Sequence, residues 1–444
     1  MSQPSRLQAL ILHTCAALLV LWPSAADAQE AAAPILLHAQ RLLDVRSGTY
    51  RADQGLLITG GLITAVGPYS DIRAKAPQTA RVVDLGTATV MPGLIDAHAH
   101  LLDAMEGSWS AGDAIVITVL RGPSSRALLG ASNARQLLEA GFTTVRNVGH
   151  SGPDGDAALR DAIAAGWVEG PRVLAATRKI TPPGGQAVVL KVEGSEALLH
   201  HEFLPVSGVE EARRAVREAL LAGADVIKVV VDDKKRVLDA AELKAIVDEA
   251  HRVNVRVAAH AASDQAIQAA IQGGVDSVEH GDEATDATLQ AMARKGVFLV
   301  ATHWTAQTLR DIYLRSYRGT PEEGEADAAV RDYLEKSRAS LKRALKSGVR
   351  IVAGSDMWMK YPGKTRGEAT LTMLESLASE GMPLPEVLRS ATITAADLLG
   401  PSLNIGTLEA GKVADIIAVD GDPLADLQAL HHVKFVMKAG RVVT

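Results

Sequence analysis

Val90-Met91-Pro92-Gly93-Leu94-Ile95-Asp96-Ala97-His98-Ala99-His100 is an apolar run that closes on two histidines. Residues two apart on a strand face the same side, so the small Ala99 lets both imidazoles point at one place. An HxH pair alone says little, because core histidines also satisfy ordinary hydrogen bonds. Its meaning depends on what else ends where this strand ends.

Toward the C-terminus, strand-like and helix-like segments alternate as in repeated βαβ units. Candidate strands end near Asp96–His100, Arg146–Gly149, Ala175–Thr177, Lys228–Val231, Ala258–His260, Val278–His280, Ala301–His303 and Gly354–Asp356. Eight such strands predict an α/β fold, a (β/α)8 TIM barrel over residues 92–405, with every C-terminal strand end on one face. Helix starts are expected at Ser207-Gly208-Val209-Glu210 and Asp239-Ala240-Ala241-Glu242, where a carboxylate follows a capping side chain by three residues. Before the barrel, short β-prone runs flank a Gly60-Gly61 turn, and the same texture returns near the end with a turn at Ala439-Gly440. Residues 29–91 with 406–444 are therefore expected to form one small β-sandwich domain from both chain ends.

The 444 residues are nearly half apolar, and the net charge of −6 gives no electrostatic footprint for nucleic acid. Residues 1–28 read as a secretory signal: Arg6, an apolar Leu7–Trp22 core and Ala26-Asp27-Ala28 ahead of a cleavage point. The apolar stretch is shorter than the roughly 20 residues that span a bilayer. An exported protein, periplasmic or secreted and without stable membrane insertion after cleavage, is expected. The single cysteine, Cys15, lies in this segment, so the mature chain would have no disulfide, thiolate ligand or cysteine nucleophile.

Six residues at the predicted strand ends form the candidate metal set: His98, His100, Lys228, His260, His280 and Asp356. Imidazole and carboxylate donors suit divalent first-row ions such as zinc, and more donors than one tetrahedron needs suggest two ions. Lys228 sits in Val226-Ile227-Lys228-Val229-Val230-Val231, where a free ammonium is costly to desolvate. Either a salt bridge to Asp225 or Asp232 neutralises it, or its amine takes up carbon dioxide as a carbamate.

The opening stretch, the strand-end lysine and histidines, Gly354-Ser355-Asp356, and the tail motifs Gly406–Asp415 and Val436–Arg441 together resemble the amidohydrolase superfamily over nearly all the mature chain. The nearest likeness is to exported, imidazolonepropionase-like hydrolases, a group that includes prolidase-type dipeptidases and ochratoxin-degrading amidases. That resemblance implies one ion on His98, His100 and Asp356, another on His260 and His280, and a bridging N6-carboxylysine at Lys228. It favours the carbamate over the salt bridge. Two positions depart from the pattern: Gln186 stands where histidine is expected, and Asn147 where aspartate is common.

Two cations would activate a shared water beside a polarised carbonyl. Asp356 would act as catalytic base and then pass the proton to the departing nitrogen. Candidate substrate contacts are His150, Gln186, Lys235, Arg236 and His303, the basic Lys234-Lys235-Arg236 turn being suited to a terminal carboxylate. Tyr313–Asp327 is a candidate lid. The expected reaction is cleavage of an amide bond to a C-terminal amino acid, in dipeptides or N-acyl aromatic amino acids including ochratoxin-type substrates. A cyclic amide or lactone is the alternative. The expected partner is a small-molecule or dipeptide-like substrate, and the expected assembly a homo-oligomer. A deaminase is disfavoured because Ala261 and Ala262, not a carboxylate, follow His260.

Overall fold

The computed structural model describes residues 33–103, 120–186, 195–233 and 236–443. The expected signal segment with Cys15, together with Lys234 and Lys235, lies outside the described residues.

The chain opens with β1 (Ile35–Asp44), β2 (Thr49–Thr59), β3 (Leu62–Pro68), β4 (Arg81–Asp84) and β5 (Thr89–Pro92). It continues with β6 (Leu94–Ala99), β7 (Phe142–Asn147), β8 (Arg172–Ala175), β9 (Lys179–Thr181), β10 (Phe203–Pro205) and β11 (Val226–Val230). A short antiparallel pair, β12 (Asp232–Asp233) and β13 (Arg236–Val237), precedes β14 (Arg256–Ala261), β15 (Ser277–His280), β16 (Phe298–Ala301) and β17 (Ile351–Ala353). The last strands are β18 (Ile416–Val419), β19 (Val433–Lys438) and β20 (Arg441–Val442).

Strands from both chain ends share one eight-stranded sheet in the order β20-β19-β18-β5-β1-β2-β3, with β4 paired to β1. The far edge curls back: Ile63 N donates to Lys412 O at 2.8 Å and Ala414 N to Gly61 O at 2.9 Å, just ahead of β18. Both layers of the expected sandwich are thus one hydrogen-bonded sheet wrapped round Leu37, Ile58, Ile63, Val90, Ile416 and Phe435. The two turns read from sequence meet. Gly61 and Gly440 both have left-handed backbones, and a Cβ on Gly440 would fall 2.6 Å from Gly61 Cα. Only glycine fits both the turn and the contact.

The eight barrel strands are β6, β7, the broken pair β8/β9, β11, β14, β15, β16 and β17, joined in parallel ladders. The ring closes between β17 and β6 through Asp356 N to His98 O at 2.8 Å and a parallel bridge between Ala99 and Met357. Between β8 and β11 it closes through Asp225 N to Ala175 O at 2.7 Å, and beyond the break through the pairing of Ile180 with Val229. Alternation sorts the strand residues. Val229, Ala259 and Val278 join the main apolar cluster with helix residues such as Ile246, Ile267 and Leu289. Lys228, His260 and Glu279, one position out of phase, face the barrel interior.

Three expectations change. The third strand does not end at Thr177: a left-handed backbone there (φ 59°) breaks it, and it resumes at Lys179. Asp239 and Glu242 form the expected reciprocal cap, but Ser207 caps nothing. The helix Val209–Leu221 starts after Gly208, Glu211 reaches back to Ser207 N, and Glu242 takes Gly208 N. The candidate lid is a helical hairpin. The helix Ala306–Ser316, a short 3-10 turn at Pro321–Glu325 and the helix Ala326–Ser347 cover Tyr313–Asp327, tied by Arg310 to Asp327 at 2.7 Å. Among the described residues no helix is long and apolar enough to cross a membrane.

Candidate active site

His98 lies within β6, His100 just past it, and Asp356 just past β17. Asp356 Oδ1 stands 3.1 Å from His100 Nε2 and 3.5 Å from His98 Nε2. One donor atom from each of the three lies within 4.8 Å of the others, close enough for a single ion. Each imidazole is held from behind. His98 Nδ1 meets Glu279 Oε2 at 2.7 Å and His100 Nδ1 meets the Gly149 carbonyl at 3.0 Å. Both partners are acceptors, so each ring carries its proton on Nδ1 and presents the Nε2 lone pair to the site. Ser355 Oγ donates to Asp96 at 2.6 Å, and Asp356 adopts a left-handed backbone, φ 46°, that turns it toward the histidines.

His260 and His280 form a second group, their ring centroids 4.6 Å apart, and His280 lies 5.0 Å from His98. His280 Nδ1 contacts Thr302 Oγ1 at 2.7 Å. Burial is the largest cause pulling His98 and His280 well below the ordinary imidazole pKa and His260 down to about 3. The rings are therefore neutral, as metal ligation requires. Lys228 completes the set on β11. It is 2% exposed, burial pushes its pKa down to about 8, and its Nζ has no hydrogen-bond partner. Neither suggested salt bridge forms. Asp225 holds Arg160 at 2.6 Å, and Asp232 accepts from Ser263 Oγ at 2.6 Å. An orphaned buried amine beside four imidazoles and a carboxylate fits a divalent metal centre.

Beneath the donors lies an ion pair that sequence reasoning missed. Glu279 is fully buried and accepts from Arg146 at 2.8 and 2.9 Å, from Ser277 Oγ at 2.5 Å, and from His98. Asn147 also works locally: its Oδ1 accepts from Leu101 N at 2.7 Å, and its Nδ2 donates to Asp156 at 2.9 Å.

The expected substrate contacts divide. His150 is next to the centre, its ring centroid 5.0 Å from that of His100. Gln186 also reaches this region, but its Oε1 accepts from Lys179 Nζ at 2.8 Å. Arg236 is already engaged, bonding Asp233 and donating to Gly184 O at 2.7 Å, so its donors close a loop. Lys235 lies outside the described residues. His303 is buried and held by Glu380 Oε2 at 2.6 Å, which Ser337 supports from its other oxygen at 2.8 Å. Lys179 was not foreseen; a lysine in the short strand-like run Lys179-Ile180-Thr181 before Pro182 was its signal.

Two nearby groups of buried donors, with a carboxylate free to move a proton, suit hydrolysis of a carbonyl compound. Comparison with known proteins agrees. The Amidohydrolase family model matches residues 89–443, and a bacterial imidazolonepropionase-like composite domain matches residues 55–78. Ochratoxinase of Aspergillus niger is 28% identical over 406 residues, covering 86% of this chain and 80% of its own. Imidazolonepropionase of Deinococcus radiodurans is 27% identical, covering 83% and 86%. Among solved structures, a prolidase complexed with N-methylphosphonate-L-proline is 27% identical with a TM-score of 0.76, covering 93% of this chain and 99% of that one. The A. niger ochratoxinase structure is 26% identical with a TM-score of 0.77, covering 93% and 96%. The chain belongs to the amidohydrolase family, and it is a hydrolytic enzyme acting on amide bonds.

Proposed function

We propose that this enzyme is a binuclear metal-dependent amidohydrolase, exported from the cell, that cleaves the amide bond to a C-terminal amino acid in dipeptides or N-acyl aromatic amino acids, ochratoxin-type substrates included. The observation that carries the reading is Lys228: a buried amine without a partner, whose charge acts on His98, His260 and His280. A carbamate there would turn a misfit cation into a two-oxygen anion between the two donor groups. Ochratoxinase, a prolidase and a Xaa-Pro dipeptidase among the relatives support the substrate class. The imidazolonepropionase relatives support a second reading, opening of a cyclic amide or lactone by the same residues.

Two divalent cations, zinc being the proposed metal, would supply a water of lowered pKa and a polarised scissile carbonyl when bound. The chain's own residues do the rest. Asp356, one-fifth exposed and 3.1 Å from His100, is the only acidic member of the donor set and takes the proton from the attacking water. It then returns that proton to the departing nitrogen. Glu279 and Gly149 O fix the ring orientation of His98 and His100, so the donors need no rearrangement as charge develops.

The test is elemental analysis of the mature protein together with amino-acid release from dipeptides and N-acyl amino acids, before and after chelation. The expected result is about two ions per chain, by the donor count, with chelator-sensitive release. Intact mass under native conditions should include one bound carbon dioxide, absent in Lys228→Met. Failure to bind metal after reconstitution with zinc and bicarbonate would refute the proposal. Ring opening without amino-acid release would move it to the second reading.

A further inference from the structure

Lys179 is a buried lysine whose pKa burial and the charge of Lys228 pull down to about 7, against the more distant pull of Asp356, Glu202 and Asp103. It is 3% exposed, and among the described residues no carboxylate lies within ion-pair distance of it. Apart from Lys228, the other buried cations near the site have partners. Arg126 pairs with Glu202, Arg146 with Glu279, and Arg366 donates to the carbonyls of Met359, His100 and Asp103. Burying an ammonium without a counter-charge is costly, and an anion brought against it would favour its protonated form.

Its surroundings fit a donor. Nζ contacts two neutral acceptors, His150 Nε2 at 2.7 Å and Gln186 Oε1 at 2.8 Å, and when protonated it has a third N–H with no partner among the described residues. The stem runs against Gly149, where a Cβ would fall 2.6 Å from Lys179 Cε. The Gly149 carbonyl in turn holds His100 Nδ1 at 3.0 Å. The ammonium is thus fixed one imidazole's width from a proposed metal ligand, with Lys228 and Asp356 among the charges acting on it.

We propose that Lys179, oriented by His150 and Gln186, is the specificity-determining anion receptor of this site, and that its ligand is a carboxylate on the substrate close to the bond that breaks. The substrate class, amides of amino acids with a free α-carboxylate, rests on the amide-hydrolysis reading above; the anion receptor does not. It replaces Arg236 in the role that the basic turn had suggested, because Arg236 already has its carboxylate in Asp233.

The test uses the metal-loaded full chain as wild type, Lys179→Met and Lys179→Arg, with circular dichroism to check folding. Calorimetry compares binding of N-acetyl-L-phenylalanine with its uncharged carboxamide. The wild type should prefer the acid by at least about 30-fold, as for loss of one partner of a buried charged pair. Lys179→Met should bring that preference close to one while leaving carboxamide binding in place, and Lys179→Arg should retain most of it. Equal loss for acid and amide in Lys179→Met would make the lysine a structural donor and overturn the proposal, as would an unchanged preference. Should Lys179→Met not fold, loss of acid preference in a folded Lys179→Gln decides in its favour, and retention against it. An acid preference that depends on Lys179 in a protein that hydrolyses no amide would refute the proposed function and leave the receptor standing. Hydrolysis with equal affinity for acid and carboxamide would do the reverse.

Discussion

Replacing Lys228 by methionine should make the metal-free protein more stable and the enzyme inactive. The lysine ionises at about 8 in the folded chain against an ordinary 10.5, with burial the main cause. That difference corresponds to about 3 kcal/mol of unfavourable ionisation at neutral pH. Methionine keeps most of the volume without the charge, and replacing a poorly compensated buried charge by an apolar side chain gains roughly 1–4 kcal/mol. Below pH 8 both folded and unfolded chains hold the proton, and the penalty is complete. Between 8 and 10.5 the folded chain loses its proton first, so wild-type stability rises with pH and its gap to Lys228→Met narrows. The assay is urea denaturation in chelator and bicarbonate-free buffer from pH 6.5 to 10.5. Metal content and amino-acid release are measured on reconstituted samples of both proteins. A variant less stable than wild type at pH 7 would refute the reasoning, since it would mean that the amine has a partner.

Other substitutions separate the layers of the site. Glu279→Gln removes the charge facing Arg146 and leaves a single acceptor oxygen to serve His98, Arg146 and Ser277, so it should cost about 3–5 kcal/mol of stability and lower metal affinity by about 10- to 100-fold; a metal titration with unchanged affinity would count against the role of Glu279 in orienting His98. Gly149→Ala drives a Cβ into the Lys179 stem at a backbone φ of 113°, so it should weaken binding of carboxylate ligands and, because the Gly149 carbonyl holds His100 Nδ1, lower metal affinity as well; unchanged values for both in titrations would count against these contacts. Gly440→Ala should destabilise by more than about 1–2 kcal/mol through left-handed strain and the clash with Gly61, visible as a lower Tm with intact kcat at 25 °C.

The barrel and the donor set were legible because they depend on alternation and on strand ends, both local properties of sequence. His98-Ala99-His100 reads directly as a two-residue repeat, and Lys228 announces itself by its apolar neighbours. What alternation hid was set by backbone breaks. Glu279 and His280 are adjacent, so strict parity puts them on opposite faces, and a reader who takes His280 as inward sends Glu279 outward. The left-handed backbone of His280, φ 71°, brings both to the interior. Lys179 was lost for a similar reason: the third strand seemed to end at Thr177, whereas a left-handed residue there only interrupts it. The partners of Arg236, Asp233 and the Gly184 carbonyl, lie 3 and 52 residues away, and the second of these no local pattern shows.

Four non-glycine positions, His150, Thr177, His280 and Asp356, carry left-handed backbones at the C-terminal ends of barrel strands. Each costs of order 1–3 kcal/mol, strain that the surrounding ladders must hold in place. It lets more polar groups converge than regular strands would allow, and the charge they assemble explains why the site needs its ligands. With Lys228 protonated, a donor set whose four imidazoles act as neutral ligands, with one ammonium and one carboxylate, would have no net charge, a poor host for two dications. The proposed carbamate changes Lys228 from +1 to −1 and gives the set a charge of −2, which favours the cations. Lys179 is not part of that balance. Burial pulls its pKa down to about 7, and beside the proposed metal-loaded centre its charged form would be favoured when an anion enters with the substrate.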